Sequence, residues 1–489
     1  MNSLTPARAL TLAAAITAVG ALVTPTALAA PAPAAPSAHS GKAVLPDDFN
    51  GDGYRDVAVG SEYLRVKGRV SAGHVSVLYG SKAGSLHTRR QLLDQSRPGV
   101  PDDPEPFDNF GASTAAADLD GDGYGDLVVG TPGEEAPGAN AYLDTGSLSV
   151  FRGGKTGLNT SATVLQGGGK HLVTGDFNGD RHPDVATVGY LKEQRAGELI
   201  LHSGPFTRDG SPAATTVTPL GNEYVHDIAT GDYNGDAIPD LVVLQNAPVW
   251  SSIATRIFKG TRQGPVDEGM LKKVPGGQSV GLGDINNDGY DEIVVGRRGY
   301  LGDDYRPKNV GGMIAVVPGS AKGPVAAKAK VIDQNSPGVP GAAESGDSFG
   351  GDIALGDIDK DGYEDLAVAV PDEAIGKKRH AGAVVVLRGS KGGVSAAGGA
   401  VFSQDAAGVP GTAETYDGFA TAIKLVDHNR DHRADLVIGV PHEDGYTGAV
   451  LSLKGSPSGI TAKGAYSFGP RTLGLTPSYG DNFGSGFNH

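Results

Sequence analysis

Asp118-Leu119-Asp120-Gly121-Asp122-Gly123-Tyr124-Gly125-Asp126, running directly into Leu127-Val128-Val129-Gly130, is the stretch whose reading decides the fold. Oxygen-bearing side chains occupy positions 1, 3, 5 and 9, glycines hold positions 4 and 6, and an apolar β-branched run leaves the loop. A hard cation takes about 6–8 oxygens at roughly 2.3–2.6 Å, and a tight turn of alternating carboxylates can wrap one. The spacing therefore predicts a Ca²⁺ loop feeding a β-strand, with the backbone carbonyl of position 7 completing the set. An EF-hand would need a bidentate Glu at position 12 and flanking helices. Position 12 is Val129 here and Val59 in the first copy, inside an apolar run, so that reading fails.

The pattern starts again at Asp48, Asp176, Asp232, Asp284, Asp357 and Asp427, giving seven copies 52 to 73 residues apart. Recurrence at such a period signals a repeat architecture. Beside Asp118, Asp120, Asp122, Tyr124 and Asp126, the candidate ligands of the first loop are Asp48, Asn50, Asp52, Tyr54 and Asp56. The third loop offers Asp176, Asn178, Asp180, His182 and Asp184, and the fourth Asp232, Asn234, Asp236, Ile238 and Asp240. The fifth has Asp284, Asn286, Asp288, Tyr290 and Glu292. The sixth has Asp357, Asp359, Asp361, Tyr363 and Asp365, and the seventh Asp427, Asn429, Asp431, Arg433 and Asp435. An ion-free loop would be only an Asx-rich turn, but seven copies of one carboxylate spacing favour metal. Position 6, where a sharp turn favours Gly, is Arg181, Ala237 and His432 in the third, fourth and seventh copies, and Glu292 replaces Asp at position 9 of the fifth. The tightest binding is thus expected in the first, second and sixth loops, in a structural rather than catalytic role.

The formal charge of -15 over 489 residues has this local cause, since positions 1, 3, 5 and 9 hold 23 carboxylates. Seven Ca²⁺ ions would nearly cancel that charge; without them the carboxylates crowd unfavourably. No sustained basic stripe is present, which argues against nucleic acid as a partner. Gly and Pro are abundant (76 and 31 residues) and no long amphipathic stretch of helical period occurs, so short strands and many turns are expected. Aromatic residues make up only 6%, which predicts a core of Val, Ile and Leu. With no cysteine, stability must come from packing and metal.

Residues 1–29 read as a secretory leader: Arg8 is the sole charge, Ala9 to Val23 form a short apolar core, and Ala27-Leu28-Ala29 fits a cleavage site. That core is too short for a membrane anchor, and no other stretch could span a bilayer. Residues 30–42 form a Pro/Ala-rich linker. From 43 to 489 each repeat has one grammar: a strand, the acidic loop, a second strand, a variable loop, a third strand ending near Gly, and a fourth. In the second repeat these are Ser113–Ala117, Leu127–Val129, Ser147–Phe151 and Ala162–Gln166. The expectation is an all-β, seven-bladed β-propeller of four-stranded antiparallel blades. The first repeat opens almost on its loop, whereas Tyr479 to Phe487 repeat the start of a unit, as comparison with Phe107 to Ser113 shows. Strands from both ends are therefore expected to close the ring together, which removes an exposed edge.

These residues resemble the FG-GAP repeat family, which includes integrin α-subunit propellers and secreted bacterial proteins. The Phe-Gly element stands at Phe110-Gly111, Phe349-Gly350 and Phe483-Gly484, with Phe419-Ala420 a near match. Gly-x-Pro stands at Gly130-Thr131-Pro132 and Gly439-Val440-Pro441, with Ala369-Val370-Pro371 a variant. Repeats three to five lack both elements and look more like VCBS-type repeats. The resemblance implies a seven-bladed propeller with calcium in its acidic loops and a role in adhesion.

Loops in a meander alternate between two faces. The second-to-third-strand loops and the inter-blade linkers share the face opposite the acidic loops, and functional loops gather on one end of a rigid scaffold. Exposed aromatics and Arg favour interfaces, so the candidate ligand-binding residues are Trp250, Tyr142, Tyr300, Tyr305, Arg306 and Tyr446. The expected partner is an extracellular macromolecule or glycan, bound by a monomer. Catalytic patterns are poor: Gly277-Gln278-Ser279-Val280-Gly281 matches G-x-S-x-G, but it is read as part of a strand, not as a strand-to-helix elbow. A propeller lyase or hydrolase acting on extracellular polysaccharide is the alternative, to be judged from the side chains lining the central funnel.

Overall fold

A computed structural model describes residues 45–134, 145–191, 196–221, 224–246, 253–299 and 311–488. The leader and linker read from the sequence lie outside them. The second repeat shows how the chain builds a blade: Ser113–Ala117 pairs with Asp126–Thr131, which pairs with Ser147–Phe151, which pairs with Ala162–Gln166, all antiparallel. Six such meanders follow the chain in order, and a seventh is composite. There Gly486–Phe487 pairs with Val57–Ser61 in the register Val59 to Phe487, and Asn488 Oδ1 accepts the Ala58 amide at 3.1 Å. The molecule is a seven-bladed β-propeller closed by both ends of its chain.

Middle strands such as Val57–Ser61, Asp365–Val370 and Asp435–Val440 are buried at every residue. Blades pack face to face, so these strands are covered on both sides and read as continuous apolar runs rather than alternation. Each fully buried Val, Leu or Ile contributes about 1.5–3 kcal/mol. Outer strands such as Ala214–Gly221 face solvent along most of their length. The core is mainly Val, Leu and Ile as expected, and its largest fully buried side chains are Tyr233 and eight phenylalanines. Aromatics are few in the chain but spent between blades. Phe49, Leu119, Phe177, Tyr233, Ile285 and Ile358, at position 2 of six acidic loops, are all buried and plug those loops into the inter-blade core. Among the described residues no helix is long and apolar enough to cross a membrane.

Candidate cation loops and the opposite face

The acidic loops are held by their own carboxylates. In all seven, the position-1 Asp accepts the amides of positions 5 and 6, as Asp118 does from Asp122 and Gly123, both at 3.0 Å. The position-5 Asp accepts the amide of position 7, as Asp122 does from Tyr124. The residue at position 6 lies at positive φ even where it is Arg181 (73°), Ala237 (65°) or His432 (66°), a left-handed conformation costing roughly 1 kcal/mol or more outside Gly. Position 9 is the keystone. Asp126 Oδ2 accepts Leu119 N–H at 3.0 Å and its Oδ1 accepts Gly153 N–H, at the end of the third strand, at 2.8 Å. The same third-strand bond recurs at Asp56, Asp184, Asp240, Asp365 and Asp435. Gly153 is required there, since a Cβ would sit 2.1 Å from the Gly125 carbonyl.

Burial raises these carboxyls despite their amide bonds: Asp56 to about 8, Asp126 and Asp240 to about 7, Asp184 and Asp365 to about 6. Arg152 stands 3.8 Å from Asp126 and Arg388 3.6 Å from Asp365 without offsetting that burial, and a cation at the loop centre would add the missing positive charge. Carboxylate oxygens of Asp118, Asp120 and Asp122 lie within 4.8 Å of one another, as do those of Asp357, Asp359 and Asp361. The donor set fits a hard cation.

Position 3 divides the loops in a way the sequence only hints at. In the first, second, third and sixth, its side-chain oxygen faces into the turn and accepts the position-5 amide, from Asn50, Asp120, Asn178 and Asp359. In the fourth, fifth and seventh, the Asn amide instead donates to the position-9 carboxylate: Asn234 to Asp240, Asn286 to Glu292, Asn429 to Asp435. In the seventh, His428 takes the place of the apolar plug. It is fully buried 3.2 Å from Asp435, and burial lowers its imidazole to about 4, so it is neutral there. Basic residues at the ends of third strands also reach the loops, with Arg152 at 3.6 Å from Asp120, Lys259 at 3.2 Å from Asp236, and Arg388 paired with Asp359.

On the opposite face, Tyr142, Trp250, Tyr300, Tyr305 and Arg306 fall outside the described residues. Tyr446 is described, and its ring lies between His442 (4.7 Å) and Tyr479 (5.3 Å). The sequence reading missed its companions. Tyr63, Phe107, Tyr224, Tyr416 and Tyr479 are the exposed aromatics among the described residues, and all lie in second-to-third-strand loops or inter-blade linkers. Phe107 is 64% exposed at φ 73°, and Tyr416 is 51% exposed at φ 76° and stacked on His380. The equivalent positions are Gly346 (φ 95°) and Gly480 (φ 85°). An exposed aromatic held where only Gly is unstrained marks a position chosen for something other than stability. The signal lay in the alignment of Phe107 and Tyr416 with those glycines, each just before an Asp.

A second acidic constellation was also missed. Glu344, Asp347 and Glu373 bring carboxylate oxygens within 4.8 Å of one another. Gln334 Nε2 donates to Glu373 at 2.8 Å, as Gln95 does to Glu134 and Gln404 to Glu443, both at 2.7 Å. Each pair is separated by 39 residues, a constant offset that was readable from the sequence.

Ser279 lies on the strand Ser279–Gly283, buried, its hydroxyl donating to the Gly350 carbonyl at 2.9 Å; it is not a nucleophile elbow. Near the ring centre, Asp227 accepts Val280 N–H and Asp352 accepts Ile423 N–H, both at 2.9 Å, each tying one blade to the next. Burial raises Asp227 to about 8 and Asp352 to about 6.

The chain carries FG-GAP repeats: the FG-GAP repeat model matches residues 110–151, 276–316 and 349–387, and an FG-GAP-like repeat model matches 48–129. Bovine phosphatidylinositol-glycan-specific phospholipase D is 33% identical over 31% of this chain and 18% of its own length. Integrin alpha-PS2 of Drosophila melanogaster is 28% identical over 41% of this chain and 15% of its own. The chain thus spans a small part of the curated relatives it matches. The solved structure of a Lactobacillus plantarum protein aligns with 88% of this chain and 98% of its own at a TM-score of 0.46 and 10% identity.

Proposed function

We propose that this propeller is a secreted, calcium-braced binding module that engages an extracellular macromolecule or glycan through its linker face, without catalysis. The observation that carries this reading is the gathering of exposed aromatics on one face, two of them, Phe107 and Tyr416, in strained backbone. Aromatic rings offer large, rigid contact area at low entropic cost. The acidic loops on the other face act as braces: an ion there neutralises buried carboxylates and stiffens the turn between strands. Loops one, two, three and six hold calcium most tightly, because position 3 offers an oxygen there; in four, five and seven an amide N–H occupies that place. Similarity to an integrin α-subunit supports a binding role. The leader-like residues 1–29 support export.

A glycan and extracellular-matrix array, run with and without Ca²⁺, tests the proposal. Binding should be retained by the wild type in Ca²⁺ and lost on Tyr416→Ala and Tyr479→Ala with melting unchanged. Silence on the array together with polysaccharide turnover would replace it with a propeller enzyme. Against that second reading, Asp227 and Asp352 near the funnel are already engaged by backbone amides.

A further inference from the structure

We propose that the linker-face ligand is a neutral polysaccharide chain, held where the seventh blade meets the linker that closes the ring. This rests on the binding reading above and adds to it a site and a chemical class. The first observation is a cleft of about 560 Å³ walled by the turn from Glu443 to Ala449, the end of the outer strand Thr461–Phe468 and the segment from Gly469 to Pro477. The linker is short there. Leu93 to Phe110, Ile332 to Phe349 and Phe402 to Phe419 are equal stretches from outer strand to buried Phe, whereas Phe468 to Phe483 is two residues shorter and turns through the 3-10 helix Pro470–Leu473. Ligand clefts commonly measure about 300–1,000 Å³. Glu443, Asp444, Thr447, Ser467, Arg471 and Thr472 line this one, so carboxylate, hydroxyl and guanidinium groups stand together. The hydroxyl rim of a sugar needs such a mixture, because each hydroxyl both donates and accepts.

The second observation is a strip of rings on the same segments. His380 and Tyr446 hold equivalent places, two residues before Gly382 and Gly448, and both are left-handed (φ 52° and 63°). Each meets a ring of the linker that follows: His380 stacks on Tyr416 at 5.1 Å, and Tyr446 meets Tyr479 at 5.3 Å. His442 joins the two pairs, with its ring 4.7 Å from Tyr446 and its Nδ1 donating to the Tyr416 carbonyl at 3.0 Å. A sugar turns its C–H groups to one face, and that face lies flat on an aromatic ring whose π surface is negative. Two ring pairs joined in series suit a chain of sugars better than a single one. The turn that carries Tyr446 is strained, since Asp444, Gly445 and Tyr446 are successive left-handed residues at φ 51°, 71° and 63°. Strain of this kind gathers at ligand clamps.

The surroundings select against a polyanion. Burial first, and then Asp417, Asp444 and Glu414, hold Glu443 up to about 7, and burial with Glu414 and Asp444 raises Asp417. A sulfated or uronic-acid chain would bring more charge of the same sign, whereas a neutral chain brings none.

The experiment uses the full chain in Ca²⁺. Binding is measured by calorimetry with cellohexaose, chitohexaose and mannohexaose as neutral probes, a heparin hexasaccharide as the polyanion and collagen as a matrix protein, and each variant's melting curve is recorded. The proposal expects a neutral hexasaccharide to bind and heparin not to. Affinity should fall about tenfold in Asp444→Gly and in Arg471→Ala. Neither variant should melt lower, since both side chains are exposed and Gly suits the left-handed position 444. A ligand lost on Tyr479→Ala but unaffected by both cleft variants, or a preference for heparin or collagen, would overturn the proposal and leave the linker-face reading standing. Silence of every glycan and of collagen would overturn both.

Discussion

The two faces of the ring use carboxylates differently. On one, the Asp residues close a turn on the amides of its own nine residues, and the position-9 Asp adds one bond to the end of the third strand of the same blade. On the other, buried Gln–Glu pairs join segments 39 residues apart, and exposed aromatic rings in strained backbone share the face. The first arrangement is local, repeated in every blade and directed inward, which suits bracing. The second occurs, among the described residues, where long linkers cross from blade to blade, and the exposed rings beside it suit recognition. The contrast teaches that acidity alone does not mark a functional face; what the carboxylates close upon does.

Removing calcium should produce the largest separation. An ion at a hundredfold excess over its Kd adds about 2.7 kcal/mol to stability, so several ions together should hold the melting temperature up by on the order of ten degrees or more. A melting curve unmoved by excess EDTA would break the brace reading.

Next in size is Asp126→Ala, which strands the Leu119 and Gly153 amides. It should destabilise by about 3–5 kcal/mol in chemical denaturation, while ligand binding by the folded fraction survives. Tyr416→Ala should do the reverse, and equal effects of both on binding would erase the distinction between faces.

Smaller is the pH response of the chelated protein. Asp56, Asp126 and Asp240 have folded values of about 7 to 8, above the ordinary carboxyl near 3.8. The folded state therefore holds protons more tightly than the unfolded one, and stability in EDTA should fall as pH rises from about 4 through 8. Calcium affinity should rise over the same window, because the ligands must lose those protons. A flat pH profile in EDTA would show that the loops are already neutralised by Arg152 and its counterparts.

The smallest effect is the most discriminating. At a left-handed position Gly is easier than Ala by roughly 1 kcal/mol, so Tyr416→Gly should be more stable than Tyr416→Ala by about that amount while both lose binding. If the Ala variant is the more stable, the strain argument for that residue fails.

The acidic loops and strands were legible because their causes are local. Asp118 to Asp126 bonds to itself over two to seven residues, and runs such as Leu127–Val129 announce buried strands by composition. The Phe-Gly fragment near the end of the chain likewise disclosed how the ring closes. What the chain alone could not reveal depends on which distant segments meet. Nothing in Asn234 distinguishes it from Asn50, yet one donates to position 9 and the other accepts from position 5. Nor does His428 in sequence show that it will fill the place of a buried Phe. The repeat offsets of the Gln–Glu pairs and of Phe107 and Tyr416 stand in the sequence, but their burial, strain and charge are set only when linkers cross the blades, by neighbours that are remote in sequence.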